Sequence, residues 1–234
     1  MSRHAGARRR PDTRRLVLLG TADLLLTVAL LGLLYVAWIL LYDDASVRAE
    51  QSRRADGLVA TWQDATPVAR SDGGVPPLAS PRPGASFAVL RIPRLGEDWR
   101  RPVVEGTTLD DLDGGIGHYR GSALPGQVGN FAVAGHRLTH GSALREIDRL
   151  RLGDRVVVET AAGWYVYRVT GSLIVTPDRV DVIAPVPEQP GVAATAAVLT
   201  LTSCDPLFGS SHRYVVHASL ESTRARADGP PRGV

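Results

Sequence analysis

From Leu24 to Tyr42 the chain reads LLLTVALLGLLYVAWILLY, without a single charged residue. As a helix rising about 1.5 Å per residue, this stretch spans roughly 30 Å, the thickness of a bilayer's hydrocarbon core. Tyr35, Trp38 and Tyr42 lie toward its C-terminal end, where amphipathic rings favour the membrane interface. Arg3, Arg8, Arg9, Arg10, Arg14 and Arg15 precede it, and Asp43 and Asp44 follow. The positive-inside rule places the N-terminus in the cytoplasm and everything after Tyr42 outside. Asp23 falls at the cytoplasmic edge. A cleaved signal peptide would have a shorter apolar core ending in small residues. This run is long and ends in Trp-Ile-Leu-Leu-Tyr, so it reads as an uncleaved, single-pass signal anchor in the cell membrane.

The formal charge of +3 invites a nucleic-acid reading, but its distribution opposes one. Six of the 27 basic residues, all arginine, precede the span, which leaves 21; two of the 24 acids do, which leaves 22. The exported part is nearly neutral, and the basic tail, residues 1–23, suits anionic lipid. No nucleic-acid partner is expected.

Beyond the span, Asp43 to about Trp62 reads as a polar helix. Thr66 to Ala85, with Gly73-Gly74, Pro76-Pro77 and Pro81-Arg82-Pro83-Gly84, reads as a solvated linker. Short strands follow: Phe87–Ile92, an edge strand at Arg101–Val104, Asn130–Ala134, a hairpin of Arg155–Thr160 with Trp164–Val169, then Val198–Ser203 and Arg213–Leu220. Leu109–Leu112 suggests a helical turn. Leu144, Ile147 and Leu150 have helical spacing within Ser142–Leu150. Glu221–Val234 reads as a disordered tail. The pattern predicts an all-β domain over residues 86–220, with one core; alternation alone does not separate a sandwich from a barrel.

Three strand ends carry the chemistry. Cys204, the only cysteine, ends the run Ala197–Ser203, and Asp205-Pro206 stop the strand. It has no partner for an intramolecular disulfide, and a lone exported thiol is either buried or used. Arg213 opens the next strand after a short connection, so antiparallel pairing brings it beside Cys204. A guanidinium there favours a thiolate or donates to an oxyanion. His136 follows the strand Asn130–Ala134; an imidazole near a thiol serves as general acid and base. His118, His140, His212 and His217 compete for that role. The His136/His140 spacing suits a metal only on a helix, and Gly135 and Gly141 indicate a loop, so no metal or cofactor is expected.

Thr200-Leu201-Thr202-Ser203-Cys204, with Arg213 nine residues on, resembles the TLxTC…R signature of sortases, with Ser203 where the family usually has threonine. The segment Gly117 to His136 resembles that family's histidine region. Its Gly-His-Tyr opening is most similar to class E enzymes of high-GC Gram-positive actinobacteria. The resemblance implies a closed eight-stranded β-barrel with one or two short helices, preceded by the transmembrane helix. It implies a transpeptidase in which Cys204 attacks the Thr–Gly carbonyl of an LPxTG-like or LAxTG-like sorting signal on a secreted protein. His136 would protonate the departing amine, Arg213 would stabilise the oxyanion or position the substrate, and an amine of lipid II or peptidoglycan would resolve the thioester. Tyr119 is implied in the preference for LAxTG, and Thr202 and Ser203 in substrate binding. Two other readings remain open: a pilin-polymerising sortase, and a membrane-tethered β-domain that binds wall or partner proteins without catalysis.

Overall fold

The computed structural model describes residues 13–38, 44–64 and 75–232. Residues 39–42 of the apolar run, the first four arginines and residues 66–74 of the linker lie outside these ranges. The chain divides into two units, one ending at Asp43 and one beginning at Asp44. The first contains α1 (Thr13–Ala37), 25 residues with no buried side chain. It is long and apolar enough to cross a membrane. It begins upstream of the charge-free run and takes in Arg14, Arg15 and Asp23.

The second unit starts with α2 (Asp44–Asp64) and continues into eight strands: β1 (Ser86–Arg91), β2 (Arg100–Glu105), β3 (Ile116–His118), β4 (Gly129–Ala134), β5 (Arg155–Thr160), β6 (Gly163–Val175), β7 (Ala197–Asp205) and β8 (His212–Ala225). Between β2 and β3 lies the short α3 (Leu109–Asp113), closed at its start by a Thr108–Asp111 capping box. The strands form a closed barrel in the order β1-β2-β3-β4-β7-β8-β6-β5. Alternation along each strand fills it. Leu90, Phe131, Val133, Leu199, Leu201 and Val216 point inward onto one apolar core, so their sequence neighbours face outward. Burying each such large side chain contributes about 1.5–3 kcal/mol.

Two strand pairs are parallel, β2 with β3 and β4 with β7. The second is what builds the site. It runs Gly129↔Ala197 through Ala134↔Thr202, so the chain leaves both strands in the same direction and at the same end.

Four expectations need correction. β2 is not an edge strand, because barrel closure gives it two neighbours. On the β3 side, however, pairing begins only at Val103, after Pro102. Residues 142–150 form turns and one 3-10 turn at Ile147–Arg149 rather than an α-helix. Leu144, Ile147 and Leu150 are all buried, at an interval of three that matches the 3.0-residue period of a 3-10 turn. Val75 and Leu78, in the expected linker, pack against the core. The expected disordered tail begins too early: β8 continues to Ala225, which pairs with Gly163 of the 13-residue β6. Arg226 then donates to Glu159 and to the Thr160 carbonyl.

Candidate active site

Cys204 and Arg213 face each other across the β7–β8 ladder. His136 reaches the other edge of β7. The parallel register ends at Ala134↔Thr202, and Gly135 N–H then donates to the Thr202 carbonyl at 3.0 Å. Ser203 Oγ returns a bond to the Gly135 carbonyl at 2.7 Å. Two residues beyond Ala134 on one strand and beyond Thr202 on the other are His136 and Cys204. Gly135 is required at this point, since a Cβ there would lie 2.8 Å from Leu144 and 3.0 Å from Ile116. Leu144 N–H also donates to the His136 carbonyl at 2.9 Å, fixing the backbone from the other side.

The three residues share the outer face of the barrel. Leu199 and Leu201 point into the core, which turns Thr200, Thr202 and Cys204 outward. Val216 and Ala218 do the same for Val215 and Arg213, and Phe131 and Val133 for Ala132 and Ala134. Cys204 is a free, half-buried thiol. Arg213 donates through Nη1 to the carbonyls of Ser210 and His212, at 3.0 and 2.9 Å, which rests its guanidinium on the β7–β8 turn. Its Nε and Nη2 make no hydrogen bond among the described residues.

His136 is largely covered. Its Nε2 lies 3.7 Å from Asp113 Oδ1, and its ring centroid is 5.0 Å from that of His140. Burial holds its pKa below the usual imidazole value; His140 adds to that effect and Asp113 opposes it. The ring is therefore biased toward its neutral form, which suits a proton acceptor that becomes a donor in the next step.

Below this row, Tyr119 OH and Thr202 Oγ1 lie 3.0 Å apart on the same outer face. Thr202 and Ser203 are both buried: the Thr202 hydroxyl also donates to the Val133 carbonyl at 3.2 Å and the Ser203 hydroxyl is spent on the Gly135 carbonyl, so of the three only Tyr119 opens onto that surface. The connection between β6 and β7 forms a wall nearby. Asn130 Nδ2 donates to the carbonyls of Val182 and Ala184, and Thr200 Oγ1 donates to Asn130 Oδ1.

The rival histidines have other surroundings. His118 is buried, with Nδ1 2.5 Å from Glu105 Oε2 and Nε2 2.8 Å from Ser122 Oγ. His217 bonds Thr200 Oγ1 beside the β6–β7 connection, and burial lowers its pKa. His212 is exposed at the start of β8.

Sequence reasoning missed Arg137. It is buried, and its Nη1 donates to the Cys204 carbonyl at 3.2 Å and to Asp205 Oδ1 at 2.9 Å. Nη2 pairs with Asp148 at 3.1 Å, Nε donates to the Arg145 carbonyl, and the guanidinium lies over Tyr214. One side chain, next to His136, thus grips the backbone of Cys204. Among 27 arginines nothing local marked it. Asp113 was also missed, because only the fold brings the end of α3 to the imidazole.

Comparison with known proteins agrees with this geometry. The sortase domain family model matches residues 90–221. Sortase SrtE1 of Streptomyces coelicolor is 34% identical over 98% of this chain; the chain spans 64% of that relative's length. The structure of sortase E from Streptomyces avermitilis has a TM-score of 0.59 at 44% identity, covering 65% of this chain and 98% of that one. A crystal structure of sortase E1 from Streptomyces coelicolor with a tripeptide in the active site gives 0.60 at 38% identity, covering 66% and 99%.

Proposed function

The chain belongs to the sortase family, whose members are cysteine transpeptidases, and from that premise we propose that it is a membrane-anchored enzyme cleaving an LAxTG-like or LPxTG-like sorting signal between Thr and Gly. The observation that supports the reading is the row of strand ends on β4, β7 and β8: Cys204 pairs with Arg213, and His136 and Cys204 each follow by two residues the Ala134–Thr202 pair that ends the β4–β7 ladder. Cys204 gives its thiol proton to His136 as Sγ attacks the threonine carbonyl carbon, and Arg213 Nε and Nη2 donate to the oxyanion. As the tetrahedral centre collapses, the C–N bond breaks and His136 gives its proton to the departing glycine amine. A thioester to Cys204 remains. An incoming amine of lipid II or peptidoglycan attacks it, His136 takes the proton of that amine and passes it to the departing sulfur, and the thiol is regenerated.

Tyr119 lies one step along the same face and contacts the residues preceding threonine in the signal, while Thr202, itself buried, holds the Tyr119 hydroxyl from beneath. Ser203 acts behind the surface, as a tether for Gly135. The apolar α1 anchors the enzyme with its N-terminus cytoplasmic and the barrel outside. A tether to the surface that holds a lipid-linked acceptor raises the effective concentration of both.

The test is peptide turnover by the full chain with LAxTG and LPxTG substrates, each with a peptidoglycan-type amine or a lysine side chain as acceptor. Cys204-dependent cleavage between Thr and Gly supports the reading, and lysine-only transfer would favour a pilin polymerase. Binding without cleavage, unaffected by thiol alkylation, would mean a non-catalytic module.

A further inference from the structure

α2 meets the barrel along its whole length. Ser142 Oγ lies 2.6 Å from Asp44 Oδ1, in the first turn of the helix, and 2.6 Å from the Leu138 carbonyl, and shares its one proton between these two acceptors. Gln51, 1% exposed, donates through Nε2 to the carbonyls of Asp113 and His140, at 3.1 and 3.2 Å. Both partners are acceptors, so the amide has one orientation that satisfies them. Farther along, Ala55 is wholly buried, Asp56 pairs with Arg100, and Trp62 lies 5.3 Å from the Arg226 guanidinium.

The segment gripped at Asp44 and Gln51 is the one that carries His136. After Thr139 it takes three consecutive positive-φ residues: His140 at 57°, Gly141 at 82° and Ser142 at 45°. Only glycine adopts this region freely, so a run containing His and Ser persists where its surroundings hold it. Gln51 is part of those surroundings, since a Cβ on Gly141 would lie 2.6 Å from its Nε2. The same amide holds the backbone of Asp113. The Asp113 carboxylate in turn lies 2.9 Å from His140 Nδ1 and 3.7 Å from His136 Nε2. The two groups flanking the His136 imidazole, His140 and Asp113, are thus both fixed by one side chain of α2.

We propose that α2 is a working part of the active site, with Gln51 the positioning residue that sets the His136 imidazole through the His140 turn and Asp113. The inference rests on His136 being the proton shuttle of the reaction above. Proton transfer tolerates little misplacement, and a shift of about 1 Å can cost on the order of 100-fold in rate. A helix that only stabilised the barrel would affect melting and leave both chemistry and the His136 environment alone.

The experiment uses the full chain in detergent micelles with a sorting-signal peptide. Gln51→Met keeps side-chain length and helix propensity and removes both donors. Its kcat should fall on the order of 10- to 100-fold, with KM within about two-fold. Followed by NMR, the His136 titration should move up toward the ordinary imidazole value as the ring gains water. Asp44→Ala loosens the other grip and should move both readouts in the same directions; it decides the matter if Gln51→Met is too unstable. Asp56→Ala, which frees α2 from Arg100 without touching the turn, should move neither. Wild-type kcat together with an unmoved His136 titration in the deciding variant would overturn the proposal. If the unaltered protein shows no Cys204-dependent turnover, the enzymatic reading fails, and the titration alone still decides whether Gln51 sets the imidazole.

Discussion

Arg137→Met should loosen the barrel where Cys204 is mounted. The arginine is 5% exposed and holds four acceptors at once: the Cys204 and Arg145 carbonyls and the carboxylates of Asp205 and Asp148. Asp148 is half exposed and regains water when its partner leaves, so its share is below about 1 kcal/mol. Asp205, 19% exposed, and the Cys204 carbonyl are less able to do so. Charge-assisted bonds of this kind contribute about 1.5–3 kcal/mol each. Methionine recovers some of the apolar packing, so the net loss should be about 3 kcal/mol. For a domain of this size each kcal/mol shifts Tm by about 2–4 °C, which gives a fall of roughly 6–12 °C. Circular dichroism on the chain from Asp44 onward would measure it. Arg137→Lys should fall between the two, since a point charge cannot serve the carbonyl and both carboxylates together. A Tm for Arg137→Met within about 1 °C of the parent would refute the reasoning.

Arg213→Lys should lose about 10²–10³ in kcat with little change in stability, because Nε and Nη2 are the donors left for an oxyanion and lysine lacks that fork; near-normal turnover in single-turnover assays would remove the residue from that role. Stability should also depend on pH in a stated direction. His136 and His217 both titrate below the ordinary imidazole value because of burial. The unfolded chain therefore binds more protons than the folded one just below pH 6.5. Their contribution is full above about pH 6.5 and is lost as pH falls through the folded-state values. Tm should drop on acidification from pH 7 toward 5, and His217→Gln should shallow the slope; a slope unchanged by that substitution would contradict the assignment.

How much of this was legible in the sequence depends on how local each signal is. The apolar span and the strands around Leu90, Phe131 and Leu201 announce themselves, because a single buried face writes its period into consecutive residues. The closed eight-stranded barrel was legible only through the resemblance carried by Thr200–Cys204 and Gly117–His136, and it is what the strands form, since closure is a property of strand order and register that alternation does not encode. β8 was cut short for a related reason. Ser222, Thr223 and Arg224 lie on an exposed stretch of strand, where ladder bonds to β6 rather than apolar side chains hold the backbone. Cys204 and Arg213 could be placed together from one turn. His136 could not, because its approach depends on the parallel pairing of strands far apart in the chain. Gln51 and Asp113 were invisible for the same reason: their roles exist only where α2, α3 and the His140 turn converge.

The central claim is that Cys204 forms a thioester with the threonine carbonyl of a sorting signal. Intact-protein mass spectrometry after brief mixing with an LAxTG peptide, without an acceptor amine, tests it directly. The account predicts an adduct whose mass equals the peptide up to and including threonine less one water. It should map to Cys204, disappear on adding the amine, and be absent in Cys204→Ala. An adduct on another residue, or cleavage that persists in Cys204→Ala, would contradict it.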